Sequence, residues 1–165
     1  VQYIFRKLMI AVEYLHSRGV IHKDIKPSNI MIMPDGDIRL SDFGVSEVLS
    51  LYSADGYCYS AQGTPSYQSP EIAQGRDRFD GPKCDVWSCG VTLYVMLTGT
   101  LPFTGETVYK VFKDIVACKN NMDRIPEEAL GLVTSMLAKE ERNRASAHEV
   151  LQHPWLALSA RNEFF

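Results

Sequence analysis

Four polar residues flank a predicted β-hairpin: Asp24, Lys26 and Asn29 precede it, and Asp42 follows it. Carboxylate and amide oxygens are ligands that Mg2+ prefers, and a lysine ammonium binds phosphate oxygens. Each residue alone would most simply be a solvated surface group. Together they predict a site for a metal ion and a phosphate.

The predicted hairpin explains how these residues meet. Ile30–Met33 and Ile38–Leu40 are short β-like runs, and the turn Pro34–Asp37 contains a glycine suited to a tight hairpin. A hairpin brings the residues before its first strand beside those after its second. The polar segments 22–29 and 41–44 are therefore expected at one end of it.

The rest of the chain is predicted to be mostly helical. Apolar residues recur at helical spacing in the first fifteen positions. Later helices are predicted over Asp85–Leu97, Val108–Ala117, Glu127–Leu137 and Ala147–Leu151. Residues 45–70 lack sustained periodicity and are predicted to be a long loop, with only helices after it.

Composition limits the class of protein. The 165 residues are 45% hydrophobic with a net charge of −3, which suits one ordinary core and argues against disorder. Without a basic surplus we expect no nucleic-acid partner. The most apolar segment, Val86–Leu97, is too short to span a membrane and is predicted to be a buried helix, with Trp87 and Trp155 as core aromatics. No secretion signal is expected.

The four cysteines are Cys58, Cys84, Cys89 and Cys118. They form no CxxC pair and have no histidine at metal-ligand spacing. We therefore expect free thiols in a reducing compartment, the cytoplasm or the nucleus.

Three motifs carry a family resemblance. Residues 22–29 are HKDIKPSN, residues 42–44 are DFG and residues 69–71 are SPE. In this order they resemble the catalytic loop, the DFG motif and the APE motif of eukaryotic protein kinases. The segment DVWSCG at 85–90 and the late Arg144 fit later motifs of the same family.

The resemblance implies a partial kinase domain over residues 1–165. This would be the large C-terminal lobe, mostly helical, with the catalytic loop at 22–29, the activation segment at 42–71 and a helical subdomain at 72–158. Nothing resembles the glycine-rich loop or strand lysine of the small β-rich lobe, which would precede Val1. The lobe alone is expected to expose its inter-lobe surface, to bind ATP weakly and to transfer phosphate slowly or not at all.

The resemblance also implies chemical roles. Asp24 would orient the substrate hydroxyl and accept its proton, and Lys26 would contact the transferred phosphate of ATP. Asn29 and Asp42 would hold Mg2+. Met31 would form part of the floor under the adenine ring, and it could also simply pack in the core, since the two roles are compatible.

Further residues would position the site. Glu71 and Arg144 would form the buried ion pair that ties the activation segment to the helical core. Asp85 would hold the catalytic-loop backbone near His22, and Phe43 of the DFG motif would be structural.

The type of substrate follows from the same resemblance. Lys26 followed by Pro27 is typical of serine/threonine kinases, and Gly63–Tyr67 agrees with that type. Within this segment, Thr64 would bridge Asp24 and Lys26. The expected substrate is a serine or threonine hydroxyl of a protein.

The residue before Asp24 departs from the pattern of many protein kinases, and this difference concerns regulation. Lys23 precedes Asp24, where kinases switched by loop phosphorylation carry an arginine that binds phosphate with a planar fork. Lys23 and the segments 44–49, 62–73 and 90–94 are similar to the liver kinase B group, upstream activators of AMP-activated protein kinase. A pseudokinase and a scaffold protein hold that group active. The calcium/calmodulin-dependent kinase branch is the alternative subfamily.

Two smaller predictions concern recognition and modification. Ser28 stands where many kinases that select basic substrates carry glutamate, so no strong requirement for arginine two residues before the target is expected. Ser53, Tyr57, Tyr59 and Ser60 could be modified, although solvated loop residues are the simpler interpretation.

Two alternatives to an active enzyme stay open. A pseudokinase scaffold commonly loses Asp24, Asn29 or Asp42, and this sequence keeps all three. A truncated fragment without activity of its own is the other alternative.

Overall fold

Helices are the main secondary structure of the computed structural model, which describes residues 1–49 and 57–160, the last three by their backbone alone. The helices are α1 Gln2–Ser17, α2 Pro70–Ala73, α3 Gly81–Thr98, α4 Val108–Val116, α5 Glu127–Met136, α6 Ala147–Gln152 and α7 Pro154–Ala160. The short strands are β1 Val20–Ile21, β2 Ile30–Ile32, β3 Ile38–Leu40, β4 Glu47–Val48, β5 Tyr57–Cys58 and β6 Phe79–Asp80. The predicted mostly α-helical class is confirmed.

Helix α3 is the central element of the fold. It begins four residues before the predicted Asp85, because the Asp80 carboxylate caps it by accepting from the Lys83 amide at 3.0 Å. It ends at Gly99, whose φ of 73° lies in the left-handed region that glycine adopts without steric cost. Most of its length is buried, as predicted for this apolar segment.

The main core surrounds α3. Trp87 is fully buried and stacks on Phe103 with ring centroids 5.8 Å apart, and Trp155 is also buried, which confirms both predicted core aromatics. A Cβ at Gly90 would lie 2.9 Å from the side chain of Leu137. Glycine therefore allows α3 to approach the end of α5 closely.

The predicted hairpin is present as β2 and β3. Ile30 pairs with Leu40, and the turn uses Gly36 at a φ of 81°. Beyond the paired strands, the Ser41 amide donates to the Asn29 carbonyl at 2.9 Å. This bond brings the two polar segments together, as the sequence predicts.

The prediction for residues 45–70 is only partly right. The segment contains β4, which pairs with β1, and β5, which pairs with β6. The expectation that only helices follow this segment is wrong, since β6 lies after it. Strands of two residues carry no measurable periodicity, and their partners lie far away in the sequence.

Two further expectations can be compared with the fold. All four cysteine thiols are free. Among the described residues, every helix is too short or too polar to cross a bilayer.

Candidate active site

The catalytic loop and the activation segment meet at Asp24. The Thr64 hydroxyl donates to Asp24 Oδ1 at 2.6 Å, and the Thr64 amide donates to the same oxygen at 3.0 Å. Lys26 Nζ lies 2.6 Å from Thr64 Oγ1 and 3.1 Å from Asp24 Oδ2. The predicted bridge between Asp24 and Lys26 through Thr64 is therefore present.

The Asp24 carboxyl is held in its charged form. Burial works against ionisation, but the hydrogen bonds from Thr64 and Lys26 and the Lys26 charge outweigh it. The pKa of Asp24 consequently lies below its ordinary value. The group is a carboxylate at neutral pH, available to accept a hydrogen bond or a proton.

Asn29 contacts Asp24, and Asp42 lies just after β3, the second strand of the hairpin that follows Asn29. The Asn29 amide nitrogen donates to the Asp24 carbonyl at 2.8 Å, which leaves the amide oxygen directed to other partners. Asp42 is exposed, and its carboxylate accepts a long hydrogen bond of 3.3 Å from the Gly44 amide. A weakly engaged carboxylate and an amide oxygen are suitable donors for a hard cation.

Apolar side chains are exposed along the hairpin and just after it. Met31 is 48% exposed, so the expectation that it packs in the core is wrong, and Ile32 and Phe43 are also exposed. The Phe43 ring meets the His22 ring edge-on at 4.8 Å. An exposed apolar surface was expected here, and the adenine-floor role of Met31 stays a prediction.

Asp85 anchors the catalytic-loop backbone. Its two carboxylate oxygens accept from the His22 and Lys23 amides, each at 2.9 Å, which confirms the predicted contact. His16, at the end of α1, adds a third contact to Asp85 at 2.9 Å. Sequence reasoning missed His16, because a histidine at a helix end has many uses and only its position opposite α3 selects this one.

Glu71 and Arg144 form the predicted ion pair. The Arg144 guanidinium donates to both Glu71 oxygens at 2.7 and 3.0 Å, and both side chains are almost fully buried. Burial opposes the charge of Glu71, but Arg144 outweighs it and holds the pKa of the carboxyl below its ordinary value. The Cys84 thiol also donates to Glu71, at 3.2 Å, a contact without a sequence signal.

The candidate modification sites differ in exposure. Tyr59 and Ser60 are exposed, whereas Tyr57 is half-buried under the Arg78 guanidinium, 4.1 Å from its ring centroid. Ser53 lies outside the described residues.

Comparison with known proteins identifies the family of this chain. The chain belongs to the protein kinase family, since the family model for the protein kinase domain matches residues 1–156. It is similar to serine/threonine-protein kinase STK11 of Rattus norvegicus, at 43% identity over 157 residues, covering 92% of this chain and 35% of that protein. STK11 of Homo sapiens is 43% identical over 155 residues with the same coverage, 92% and 35%. CBL-interacting serine/threonine-protein kinase 5 of Arabidopsis thaliana is 38% identical over 153 residues, 92% of this chain and 34% of that protein.

These relatives are named serine/threonine-protein kinases, as the sequence motifs predict. The similarity to STK11 confirms the predicted relation to the liver kinase B group. The chain spans about a third of the length of these curated relatives.

Proposed function

We propose that the protein carrying this chain is a serine/threonine protein kinase that transfers the γ-phosphate of ATP to serine or threonine hydroxyls of protein substrates. The observation that carries the proposal is the hydrogen-bonded set of Asp24, Lys26 and Thr64. Phosphoryl transfer depends on positioning and charge stabilisation more than on covalent chemistry. This set supplies both.

Each residue of the set has a separate task. Asp24, charged at neutral pH, accepts a hydrogen bond from the incoming substrate hydroxyl and orients it. Lys26 stabilises the negative charge of the transferred phosphate. Thr64 holds both side chains in register, because its hydroxyl contacts each of them at 2.6 Å.

Asn29 and Asp42 are the residues that would hold Mg2+ with ATP. Their oxygen donors, the exposure of Asp42 and its weak hydrogen bond fit a hard cation. When bound, Mg2+ neutralises charge on the phosphates.

Regulation by a protein partner forms part of the proposal. Lys23 disfavours control by a loop phosphate, and the similarity to STK11 supports a pseudokinase and a scaffold protein as the kind of activator.

Location and substrate preference are further parts of the proposal. Free thiols support the cytoplasm or the nucleus as the location. Ser28 supports a substrate preference without dominant arginine two residues before the target.

The test is a phosphate-transfer assay with Mg2+, ATP and a peptide library, on the protein at its full native length. Transfer to serine and threonine that disappears in Asp42→Ala would support the proposal. Absence of transfer with every activating partner tried would favour a scaffold.

Full activity of the protein purified alone, abolished by phosphatase, would contradict partner activation. Dominant selection of arginine two residues before the target would contradict the reading of Ser28.

The chain 1–165 alone provides a further test of the partial-domain interpretation. We expect slow transfer or none, since the glycine-rich loop and strand lysine motifs are not among its residues. ATP-dependent transfer by residues 1–165 that is lost in Asp42→Ala would contradict this expectation.

A further inference from the structure

Lys23 and Glu47 form an ion pair between the catalytic loop and the activation segment. Lys23 Nζ lies 2.8 Å from Glu47 Oε2, and the two side chains are 6% and 30% exposed. The lysine end is therefore buried and the acid end is partly hydrated. Neither the predicted chemistry nor the family motifs used above assign a role to Glu47.

The backbone at the lysine end is rigidly placed. Lys23 adopts a φ of 68°, unusual for a residue with a side chain, and its amide is held by Asp85. A Cβ at Gly63 would lie 2.3 Å from the Lys23 carbonyl oxygen, so the segment next to Thr64 packs directly on Lys23. The residue beside Asp24 thus has little freedom to move.

The acid end belongs to the first half of the activation segment. Glu47 pairs with Ile21 in the β1–β4 ladder, and the Leu49 amide extends this ladder by donating to the Gly19 carbonyl at 2.8 Å. These bonds join the activation segment to the strand that leads into the catalytic loop.

The charge of Glu47 also acts on Cys58 in the second half of the activation segment. Burial raises the pKa of the Cys58 thiol to about 12, and the Glu47 carboxylate acts in the same direction through its charge and a side-chain hydrogen bond. Cys58 is fully buried, and β5, which contains it, pairs with β6. The Glu47 carboxylate is therefore paired with Lys23, and its charge also acts on the buried Cys58 thiol.

We propose that Glu47 is a positioning residue whose carboxylate ties the first half of the activation segment to Lys23 in the catalytic loop, so that Asp24 and Thr64 stay aligned without a phosphate. The anion in this pair is the Glu47 carboxylate, which belongs to the chain itself. It forms an ion pair with Lys23, the cationic residue that precedes Asp24. The kinetic part of this inference rests on the proposed kinase activity.

The two ends of the pair differ in what their removal costs. Neutralising Glu47 leaves the buried Lys23 ammonium without its anion, which strongly disfavours the native arrangement. Neutralising Lys23 leaves a carboxylate that water already reaches. Loss of the acid should therefore harm the site more than loss of the base, and removal of both charges should repair it.

The experiment compares Glu47→Gln, Lys23→Met and the double variant in the full-length protein with its activators. Glu47→Gln should lower kcat about tenfold or more, with the KM for ATP changed less than about twofold, because alignment is lost while nucleotide contacts remain. Lys23→Met should be milder, and the double variant should recover most of the kcat that Glu47→Gln loses. Glu106→Gln, the same substitution at an exposed acid, is the matched control and should leave kcat unchanged.

Hydrogen exchange at the Leu49 amide tests the bridge independently of catalysis. Glu47→Gln should speed exchange there, and the double variant should restore protection. Unchanged kcat and protection in Glu47→Gln, or a double variant no better than that single one, would overturn the proposal. If no variant, including the wild type, transfers phosphate, the proposed function fails and the exchange data alone decide on the bridge. If Glu47→Gln does not fold, recovery of folding in the double variant supports the bridge, and failure of both overturns it.

Discussion

The Glu71–Arg144 pair and the carboxylates at the hairpin end place charge in opposite surroundings. Arg144 donates to both Glu71 oxygens and to the backbone carbonyls of Lys83, Ala138 and Lys139, and it is fully buried. Asp42, by contrast, is exposed, and within residues 1–49 and 57–160 its carboxylate accepts one long hydrogen bond, from the Gly44 amide. The first set has its partners within the protein, and the second has capacity left for a ligand.

The contrast separates two uses of ionised side chains in one lobe. A buried pair with complete hydrogen bonding keeps the activation segment against the helical core, and its value depends on both members being present. An exposed carboxylate contributes little to stability but keeps lone pairs for a cation. Asp24 lies between these extremes, since Thr64 and Lys26 orient it while it stays next to the surface.

The largest expected effect is on activity at the hairpin end. Asp24→Asn keeps the shape of the side chain but removes the charge and the group proposed to act as the base, so kcat should fall about 10²- to 10⁴-fold. The free energy of unfolding should change by only about 1 kcal/mol, the scale of the hydrogen bonds that it weakens. Kinetics and urea unfolding measure the two quantities. Asp123→Asn, at an exposed position away from the hairpin, is the control. If it lowered kcat as much as Asp24→Asn does, the effect would not be specific to the hairpin end.

The buried pair should show the reverse pattern. Arg144→Met leaves Glu71 charged and buried, so the free energy of unfolding should fall by about 3–5 kcal/mol. Glu71→Leu combined with Arg144→Met removes both charges and should regain much of this loss. Urea unfolding of the three proteins decides the matter, and a double variant less stable than Arg144→Met would contradict the explanation by an unpaired charge.

A pH series sharpens the same comparison. The folded pKa of Glu71 lies below its ordinary value of 4.5, so its stabilising contribution is complete above that value. The contribution is lost as the pH falls through the lowered folded pKa. Glu71→Gln should therefore destabilise the protein by a constant amount above about pH 5 and by less in more acidic solution. A destabilisation that grows on acidification would show that the sign is wrong.

The smallest effect is expected for an exposed arginine. Arg76 lies 3.4 Å from Glu141, and its side chain is 45% exposed, so Arg76→Met should change the free energy of unfolding by about 0–1 kcal/mol. The substitution is the same as Arg144→Met, which makes burial the variable. Thermal or urea unfolding measures this change. Equal losses of unfolding free energy in Arg76→Met and Arg144→Met would show that burial does not determine the effect.

Local features of the fold were predictable where the signal lies within a few residues. The hairpin was visible because a glycine-containing turn separates two β-like runs, and α3 was visible from its apolar run. The start of α3 was misplaced because the prediction began at the apolar run and did not use Asp80 followed by Pro82, which is a sequence signal for a capped helix start. The β5–β6 pair was missed because each strand has two residues and the pairing joins distant segments.

The candidate site shows the same division. Motifs identified Asp24, Asn29 and Asp42 and placed Thr64 beside Lys26, and the structure confirms the Thr64 contacts. The contacts of His16 with Asp85 and of Glu47 with Lys23 had no sequence signal, because histidines and glutamates are common on helix ends and in loops.

The sequence by itself determined the residue types, their order and therefore the family and the chemistry that they allow. Only the tertiary structure decided which charges are buried, which are paired and which remain open, for example that Glu71 is enclosed with Arg144 while Asp42 faces solvent. The physical reason is the distance along the chain over which each kind of interaction acts. Turn and helix preferences act over a few neighbouring residues, whereas desolvation and ion pairing depend on groups that chain folding brings together from distant positions.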